Sequence, residues 1–179
     1  MKIRKLTASD ALIFQEIRLQ AVKEAPEAFG GTFEEERENS LSMYEDRLDS
    51  GAENLILAVF DDSNDVRGML GLFKHHKIKR KHQVDLWGTY VDSGFRGKGA
   101  AQLLIQQSID CAKLMEGVEQ IRIGVVTENI SAKKLYESFG FKTYGVEPKA
   151  FKLGNKYYDI EHMMSVSYTH LTLPTNREV

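Results

Sequence analysis

The sequence has a single cysteine, Cys111, among its 179 residues. One thiol cannot form an internal disulfide, so a disulfide framework is excluded and a reducing compartment is expected. Because Cys111 sits within an apolar helical pattern, we predict a buried structural thiol there rather than a nucleophile.

Long apolar runs and an excess of one charge are also missing. No segment approaches the roughly 20 apolar residues needed to span a bilayer, and residues 1–10, MKIRKLTASD, lack the apolar core of a signal peptide. The formal net charge is -2, whereas broad nucleic-acid binding usually needs a strongly basic face. We therefore predict a cytoplasmic protein with neither a membrane nor a nucleic acid as partner.

Hydrophobic periodicity predicts one domain over residues 1–166, with elements in the order β-α-α-β-β-β-α-β-α-β-β. Ser9 is the predicted N-cap of the first helix, which Pro26 ends, and a second helix is predicted from Glu34 to Leu48. This order is neither a regular alternation nor a strict segregation. It favours an α/β (α+β) fold, with a mixed, mostly antiparallel sheet covered by helices on both faces.

The segment 167–179, SYTHLTLPTNREV, breaks the pattern, because it has no apolar period and carries Pro174. It resembles translated vector sequence, and we predict that it is a non-native or disordered tail. A loose native extension is the alternative.

The stretch YVDSGFRGKGAAQLLIQQ, residues 90–107, runs from a predicted strand through a basic turn into a predicted helix. Backbone N–H groups at a helix N-terminus lack intrahelical partners, and the helix dipole adds positive charge there. Glycines let an anion approach such a turn closely. The spacing fits neither a Walker A motif nor a dinucleotide G-x-G-x-x-G motif, so a pyrophosphate turn of another kind is indicated.

Two motifs then point to a family. Residues 96–101, RGKGAA, resemble the R-x-x-G-x-G/A signature of the GNAT superfamily of N-acetyltransferases, with Ala101 in the last place. Residues 129–141, NISAKKLYESFGF, resemble its second signature, N-x-x-A-x-x-L-Y-x-x-x-G-F. The resemblance covers residues 1–166 and implies a GNAT-like fold. It also implies an acyltransferase that moves the acetyl group of acetyl-CoA, a co-substrate, to a primary amine of a small molecule or protein, without a metal.

The resemblance implies a role for each matching residue. Tyr90 and Val91 would present backbone groups to the pantetheine arm and the thioester. Asn129 would contact the same arm; a plain N-cap is the alternative, and both roles can hold at once. Tyr136 would stand near the sulfur as general acid; a core aromatic is the alternative. The pyrophosphate would be held by the backbone amides of the turn, Arg96, Gly97, Lys98, Gly99, Ala100 and Ala101.

A general base is harder to assign. Asp85 is the first candidate, and regular strand alternation would place it on one face with Trp87, Thr89 and Val91, although a bulge would alter that count. A solvent-facing strand carboxylate is the alternative. The weaker candidates for the base are Glu34, Glu35, His75 and His76.

The acceptor pocket is expected to involve the segment PEAFGGTFEEE, Trp87 and the last hairpin. Glu34 to Glu36 could attract a cationic amine, or could simply solvate a helix. The aromatic walls are predicted to come from Phe29, Phe33, Trp87 and Tyr157.

The basic run KHHKIKRKH, residues 74–82, is interpreted as a solvated hairpin turn or as a docking patch for an acidic substrate or coenzyme phosphates. Homodimers are common among proteins of this kind, and a homodimer is one expectation. Two other functions stay open: a non-catalytic acyl-CoA binding or sensing module, and a structural protein whose glycine turn binds nothing. Tyr136 favours the enzyme, because a pure binder needs no acid beside the thioester.

Overall fold

The computed structural model describes residues 1–166, so the predicted tail at 167–179 lies outside the described residues. Seven strands form one sheet in the order β1-β2-β3-β4-β5-β7-β6. Neighbours pair antiparallel, except that β4 and β5 are parallel. The strands are β1 (Lys2–Lys5), β2 (Asn54–Phe60), β3 (Val66–Lys74), β4 (Gln83–Val91), β5 (Gln120–Val126), β6 (Lys142–Leu153) and β7 (Lys156–Val166).

Helices cover both faces of this sheet, as the sequence predicts. One apolar cluster joins the sheet to α1 and α3, and the other joins it to α4 and α5. Among the described residues, none of the helices is long and apolar enough to cross a membrane. The helices are α1 (Ala11–Glu24), α2 (Phe33–Glu38), α3 (Leu41–Leu48), α4 (Ala100–Leu114) and α5 (Ile130–Ser138).

The parallel strands β4 and β5 pair over only part of their length. Their register runs from Gln83 opposite Gln120 to Leu86 opposite Ile123 and then stops. Beyond that point β4 continues against β3 as far as Val91, and β5 continues against β7 as far as Val126. The sheet therefore opens a gap between β4 and β5, and the backbone N–H and C=O groups along its edges lack ladder partners.

A bulge in β4 lies at the start of this gap. Met69 pairs with Tyr90 but Gly71 pairs with Trp87, so β4 carries one extra residue. Gly88 within the bulge has a φ of 64°, a conformation that favours glycine. The bulge reverses the alternation of side chains between the two faces of the sheet, because Trp87 packs with the α1 cluster and Val91 with the α4 cluster. The regular-strand prediction that Asp85, Trp87, Thr89 and Val91 share a face is therefore wrong.

Two helix boundaries also differ from the prediction. Thr7 rather than Ser9 caps the first helical turn, through a capping box with Asp10. The predicted helix from Glu34 to Leu48 is divided into α2 and α3, because Asn39 adopts an extended conformation and Ser40 is the N-cap of α3. The interruption turns α3 so that its apolar side packs on α1.

The Thr7–Asp10 cap gives a stability prediction. Asp10 accepts hydrogen bonds from Arg4 Nη1 at 2.7 Å and from the Thr7 backbone N–H at 2.9 Å. The Arg4 hydrogen bond, above all, lowers the pKa of Asp10 to about 2. Because the folded-state pKa is below the unfolded value, this stabilisation is present above about pH 4 and is lost as the pH falls towards 2.

We expect Asp10→Asn to lower the free energy of unfolding by about 1 to 2 kcal/mol at neutral pH, since Arg4 is partly exposed and the pair is screened. The difference from wild type should narrow below about pH 4. Ser9→Ala is the control, with an expected change below about 0.5 kcal/mol. Urea denaturation at several pH values measures both. A deficit for Asp10→Asn that stays constant down to pH 2 contradicts the assignment.

Candidate active site

The N-terminus of α4 forms a turn of unpartnered amides. Gly97 and Gly99 have φ values of 73° and 85°, and a Cβ added to either would meet no atom within 4 Å. The first hydrogen bond of the helix runs from the Leu103 N–H to the Gly99 carbonyl at 3.0 Å. Within residues 1–166, the N–H groups of 96–99 donate to no other protein group. The turn therefore presents a concentration of amides suited to an anion.

Basic side chains fix the shape of this turn. Arg96 Nε donates to the Val91 carbonyl at 3.0 Å, which links the turn to the end of β4. Lys98 Nζ lies 3.3 Å from the Gly94 carbonyl and 4.8 Å from the centre of the Phe95 ring. Arg96 Nη2 also lies 3.8 Å from Glu24 Oε2, which offsets part of its charge, so Lys98 and the dipole of α4 are the features that favour a negatively charged ligand.

Tyr136 lies on the α4 side of the gap. Only 4% of its surface is exposed, and it packs with Phe141 in the cluster that also contains Val91. Burial raises the pKa of the Tyr136 hydroxyl, and the Thr89 hydroxyl opposes that rise. Thr89 Oγ1 itself forms no hydrogen bond with any described residue. A protonated phenol therefore stands close to the edge of β4.

Asn129 has the structural role predicted as its alternative. Its side-chain oxygen accepts from the Ala132 N–H at 3.1 Å and from Ser131 Oγ at 3.0 Å, which caps α5. The cap fixes the first turn of the helix that carries Tyr136.

A cavity of about 600 Å³ lies between the α1–α2 connection and the β6–β7 hairpin. Its lining includes three residues of the predicted acceptor pocket, Phe29, Phe33 and Glu34, together with Phe151 and Tyr158. The other two predicted wall residues are not part of it. Trp87 lines a separate cavity. Tyr157 is 48% exposed and its ring lies 5.4 Å from the ammonium groups of Lys149 and Lys152. Adjacent residues of a strand face opposite sides of the sheet, so Tyr158 rather than Tyr157 lines the cavity.

Asp85 is bound in an ion-pair cluster on the paired part of β4. Arg122 donates to its two oxygens at 2.7 and 2.8 Å, and His75 Nε2 lies 2.8 Å from Oδ2. Burial by itself favours the protonated acid, but the hydrogen bonds from Arg122 and His75 lower the pKa of Asp85 overall. These contacts weigh against a base role, because both oxygens are occupied. His76 instead pairs with Glu53 at 3.2 Å.

The three glutamates at the start of α2 have different roles. Glu34 is exposed at the cavity, and Glu35 accepts from the Thr32 N–H in a capping box. Glu36 is only 5% exposed and accepts from Arg18 Nε at 2.9 Å. Glu36 is therefore unavailable to an incoming amine. The burial of Arg18 is not evident from the sequence, because a single arginine on a predicted helix is ordinarily solvated.

Comparison with known proteins identifies the family. The family model described as "Acetyltransferase (GNAT) domain" matches residues 3–164. The chain belongs to the GNAT superfamily. It is an acyltransferase with the GNAT fold, and GNAT acetyltransferases use acetyl-CoA. The predicted membership of the GNAT superfamily and the predicted fold class are thereby confirmed.

Individual GNAT relatives show the range of the similarity. L-amino acid N-acetyltransferase AaaT of Escherichia coli (strain K12) is 28% identical over 126 residues, which is 69% of this chain and 75% of that protein. N-acetylaspartate synthetase of Xenopus tropicalis is 41% identical over 78 residues, 44% of this chain and 28% of that protein. The solved structure of yncA from Salmonella typhimurium, with its cofactor acetyl-CoA, has a TM-score of 0.76 and 21% identity, covering 93% of each chain.

Proposed function

We propose that this protein transfers the acetyl group of acetyl-CoA to a primary amine of a small molecule or protein. The observation that carries the proposal is the position of the free amides at the N-terminus of α4, at the end of β4 and beside the gap in the sheet. Phosphates bound to that turn leave the rest of the coenzyme next to unpaired strand backbone. A thioester reaching into the gap then lies near Tyr136.

The coenzyme is assigned to the α4 and α5 side of the sheet. The amides of residues 96–101 hold the pyrophosphate, with the dipole of α4 favouring its charge. The pantetheine arm, which carries amide groups of its own, pairs with the open edge of β4 at Tyr90 and Val91 and passes Asn129. An unpaired strand edge meets the hydrogen-bonding requirements of an extended arm.

In the chemical step, the amine nitrogen attacks the thioester carbonyl carbon and a tetrahedral oxyanion forms. Backbone N–H groups of β4 in the gap are the donors for that oxyanion. The C–S bond then breaks, and the Tyr136 hydroxyl donates its proton to the departing thiolate. The raised pKa of Tyr136 keeps the phenol protonated at neutral pH. The nitrogen loses its extra proton to a base or water, so the products are an amide and free CoA.

The acceptor is assigned to the opposite side of the gap. The cavity between the α1–α2 connection and the β6–β7 hairpin has a volume of about 600 Å³ and aromatic walls. That size suits a small molecule or a single protein side chain. Two relatives named for amino-acid acetylation, the Escherichia coli and Xenopus tropicalis proteins, support an amino acid or a similar small amine as acceptor.

The test is a screen of primary amines with acetyl-CoA, in which free CoA thiol and the acetylated amine are both measured. We expect CoA release that depends on the amine and matches the amount of acetylated product. Acetyl-CoA binding without release for any amine overturns the proposal and favours a sensing module instead.

The two roles considered for Asp85 differ in their pH–rate profiles. Because its oxygens are occupied by Arg122 and His75, we expect Asp85→Asn to lower the free energy of unfolding by about 1 to 3 kcal/mol. The shape of the rate profile should match wild type, as measured by CoA release from pH 6 to 10. A deficit that is largest at low pH and closes at high pH shows instead that Asp85 relays the proton. Glu34→Gln, at the exposed carboxylate in the cavity, is the next variant for the same measurement.

A further inference from the structure

Arg18, on α1, has a buried guanidinium that is only partly satisfied. Its side chain is 10% exposed, and Nε donates to Glu36 Oε1 at 2.9 Å. Nη1 is buried and has no hydrogen-bond partner among the described residues, and Nη2 also donates to none of them. Buried polar groups are nearly always hydrogen-bonded, and an unmet charged donor is costly. Nη1 is therefore a buried donor without a protein partner, and together with Nη2 it forms the outer fork of the guanidinium.

Glu36 does not neutralise this cluster. Its carboxylate also accepts from Tyr44 OH at 2.9 Å, Asn39 Nδ2 at 3.2 Å and Arg47 Nη1 at 3.4 Å. Burial opposes its ionisation, but the charge and hydrogen bond of Arg18 and the other donors lower the pKa of Glu36 overall. One carboxylate thus faces two guanidinium groups. Glu36 therefore leaves one positive charge of this three-residue cluster unbalanced.

Aromatic side chains hold the Arg18 fork in one orientation. Its guanidinium carbon lies 4.8 Å from the centre of the Phe29 ring and 6.0 Å from that of Trp87. Trp87 lies flat across Gly71, where any Cβ would come within 2.1 Å of the indole. Such cation–π contacts suit an arginine that binds a planar anion along its free edge.

The fork also lies at the reaction centre proposed above. A Cβ added to Gly88 would be 3.4 Å from Arg18 Nη1, and Gly88 is in the bulge where β4 separates from β5. Phe29, on one side of Arg18, lines the cavity assigned to the acceptor. An anion on the fork therefore lies beside the gap and on the acceptor side of the sheet.

We propose that Arg18 binds a carboxylate of the acceptor, so that the preferred substrates are amino acids whose amine is presented to the thioester. This inference rests on the proposed function and names its substrate class. A planar carboxylate matches the two parallel N–H donors of the fork. The same excess positive charge disfavours polyamines. Of the three glutamates considered for attracting a cationic amine, Glu36 is bound by Arg18 and Arg47 and Glu35 by the Thr32 cap, so Glu34 alone remains exposed at the cavity.

The first test uses the wild-type protein, acetyl-CoA and matched acceptors: each L-amino acid, its α-carboxamide and the corresponding decarboxylated amine. All three keep the amine and the side chain. Loss of a charge-assisted contact to the carboxylate is expected to lower kcat/KM by roughly 10- to 100-fold for the amide and the amine. The α-amine of the carboxamide is less basic than that of the amino acid, so more of it is unprotonated at neutral pH. The comparison of acid with amide is therefore biased against the proposal.

The second test removes the fork. Arg18→Lys keeps a cation for Glu36 but cannot bind a carboxylate through two parallel donors. We expect the acid-to-amide ratio of kcat/KM to fall to roughly unity in this variant. Arg47→Lys changes the other arginine on the same carboxylate and should keep the wild-type ratio. If Arg18→Lys fails to fold, as judged by its melting curve, the double variant R18M/E36Q removes both buried charges and takes its place.

The outcomes separate this inference from the proposed function. Equal rates for acids and amides in wild type, or a preference that survives in Arg18→Lys, overturn the role of Arg18 while leaving an amine acetyltransferase intact. Turnover of polyamines in preference to amino acids has the same meaning. CoA release with none of the amines overturns both proposals.

Discussion

Gly99→Val is expected to abolish the thermal stabilisation of this protein by acetyl-CoA. A ligand that binds only the folded state at about 100 times its Kd stabilises by about 2.7 kcal/mol. In Gly99→Val that gain should disappear. The new side chain enters the open space over the turn where the phosphate is expected to approach, and it also disfavours the φ of 85° that aims the amides.

Gly117→Val is the matched control for this result. Gly117 also has a positive φ, 71°, and open space around it, but it lies in the turn between α4 and β5. Both variants carry a similar backbone strain, so both should melt below wild type without ligand. Only Gly99→Val should lose the shift caused by acetyl-CoA. A folded Gly99→Val variant with a full shift removes the pyrophosphate from this turn.

Tyr136→Phe is expected to slow turnover by roughly 10²- to 10⁴-fold, the usual contribution of a general acid. The ring stays in its core position, so coenzyme binding should be preserved. Among the described residues, Thr89 is the one polar side chain whose hydroxyl affects the pKa of the Tyr136 hydroxyl, so the loss in folding stability should be small. Single-turnover CoA release and the acetyl-CoA melting shift separate the two effects.

Tyr144→Phe removes a hydroxyl from a tyrosine that is 51% exposed on β6, and it should leave turnover unchanged. If Tyr136→Phe turns over at the wild-type rate while the chemical step is rate-limiting, Tyr136 is a packing residue and not the general acid. If Tyr136→Phe loses coenzyme binding and turnover to the same extent, the hydroxyl contributes to coenzyme binding rather than to proton donation.

The two motifs on the coenzyme side could be found from the sequence because each depends on residues close together in the chain. Gly97 and Gly99 determine a local turn, and Asn129 caps the helix that places Tyr136 seven residues later. Turns and caps of this kind can be recognised from a few consecutive residues of the sequence. The fold class followed from element order for the same reason.

The proposed acceptor side could not be derived in this way, because it depends on contacts between distant segments. Arg18 is buried only because Glu36, in another helix, and Trp87, in β4, surround it. The bulge at Gly88 is a single extra residue, yet it reverses the face of every later residue in β4. Tyr157 and Tyr158 are adjacent, and strand register alone decides which faces the cavity.

A crystal structure of the protein with acetyl-CoA tests the central claim most directly. The account predicts pyrophosphate oxygens within hydrogen-bond distance, roughly 2.7 to 3.2 Å, of the backbone amides between Arg96 and Ala101. It also predicts the thioester in the gap between β4 and β5, with its sulfur facing the Tyr136 hydroxyl. Phosphates held by another surface, such as the basic run at residues 74–82, or a sulfur directed away from Tyr136, contradict the account.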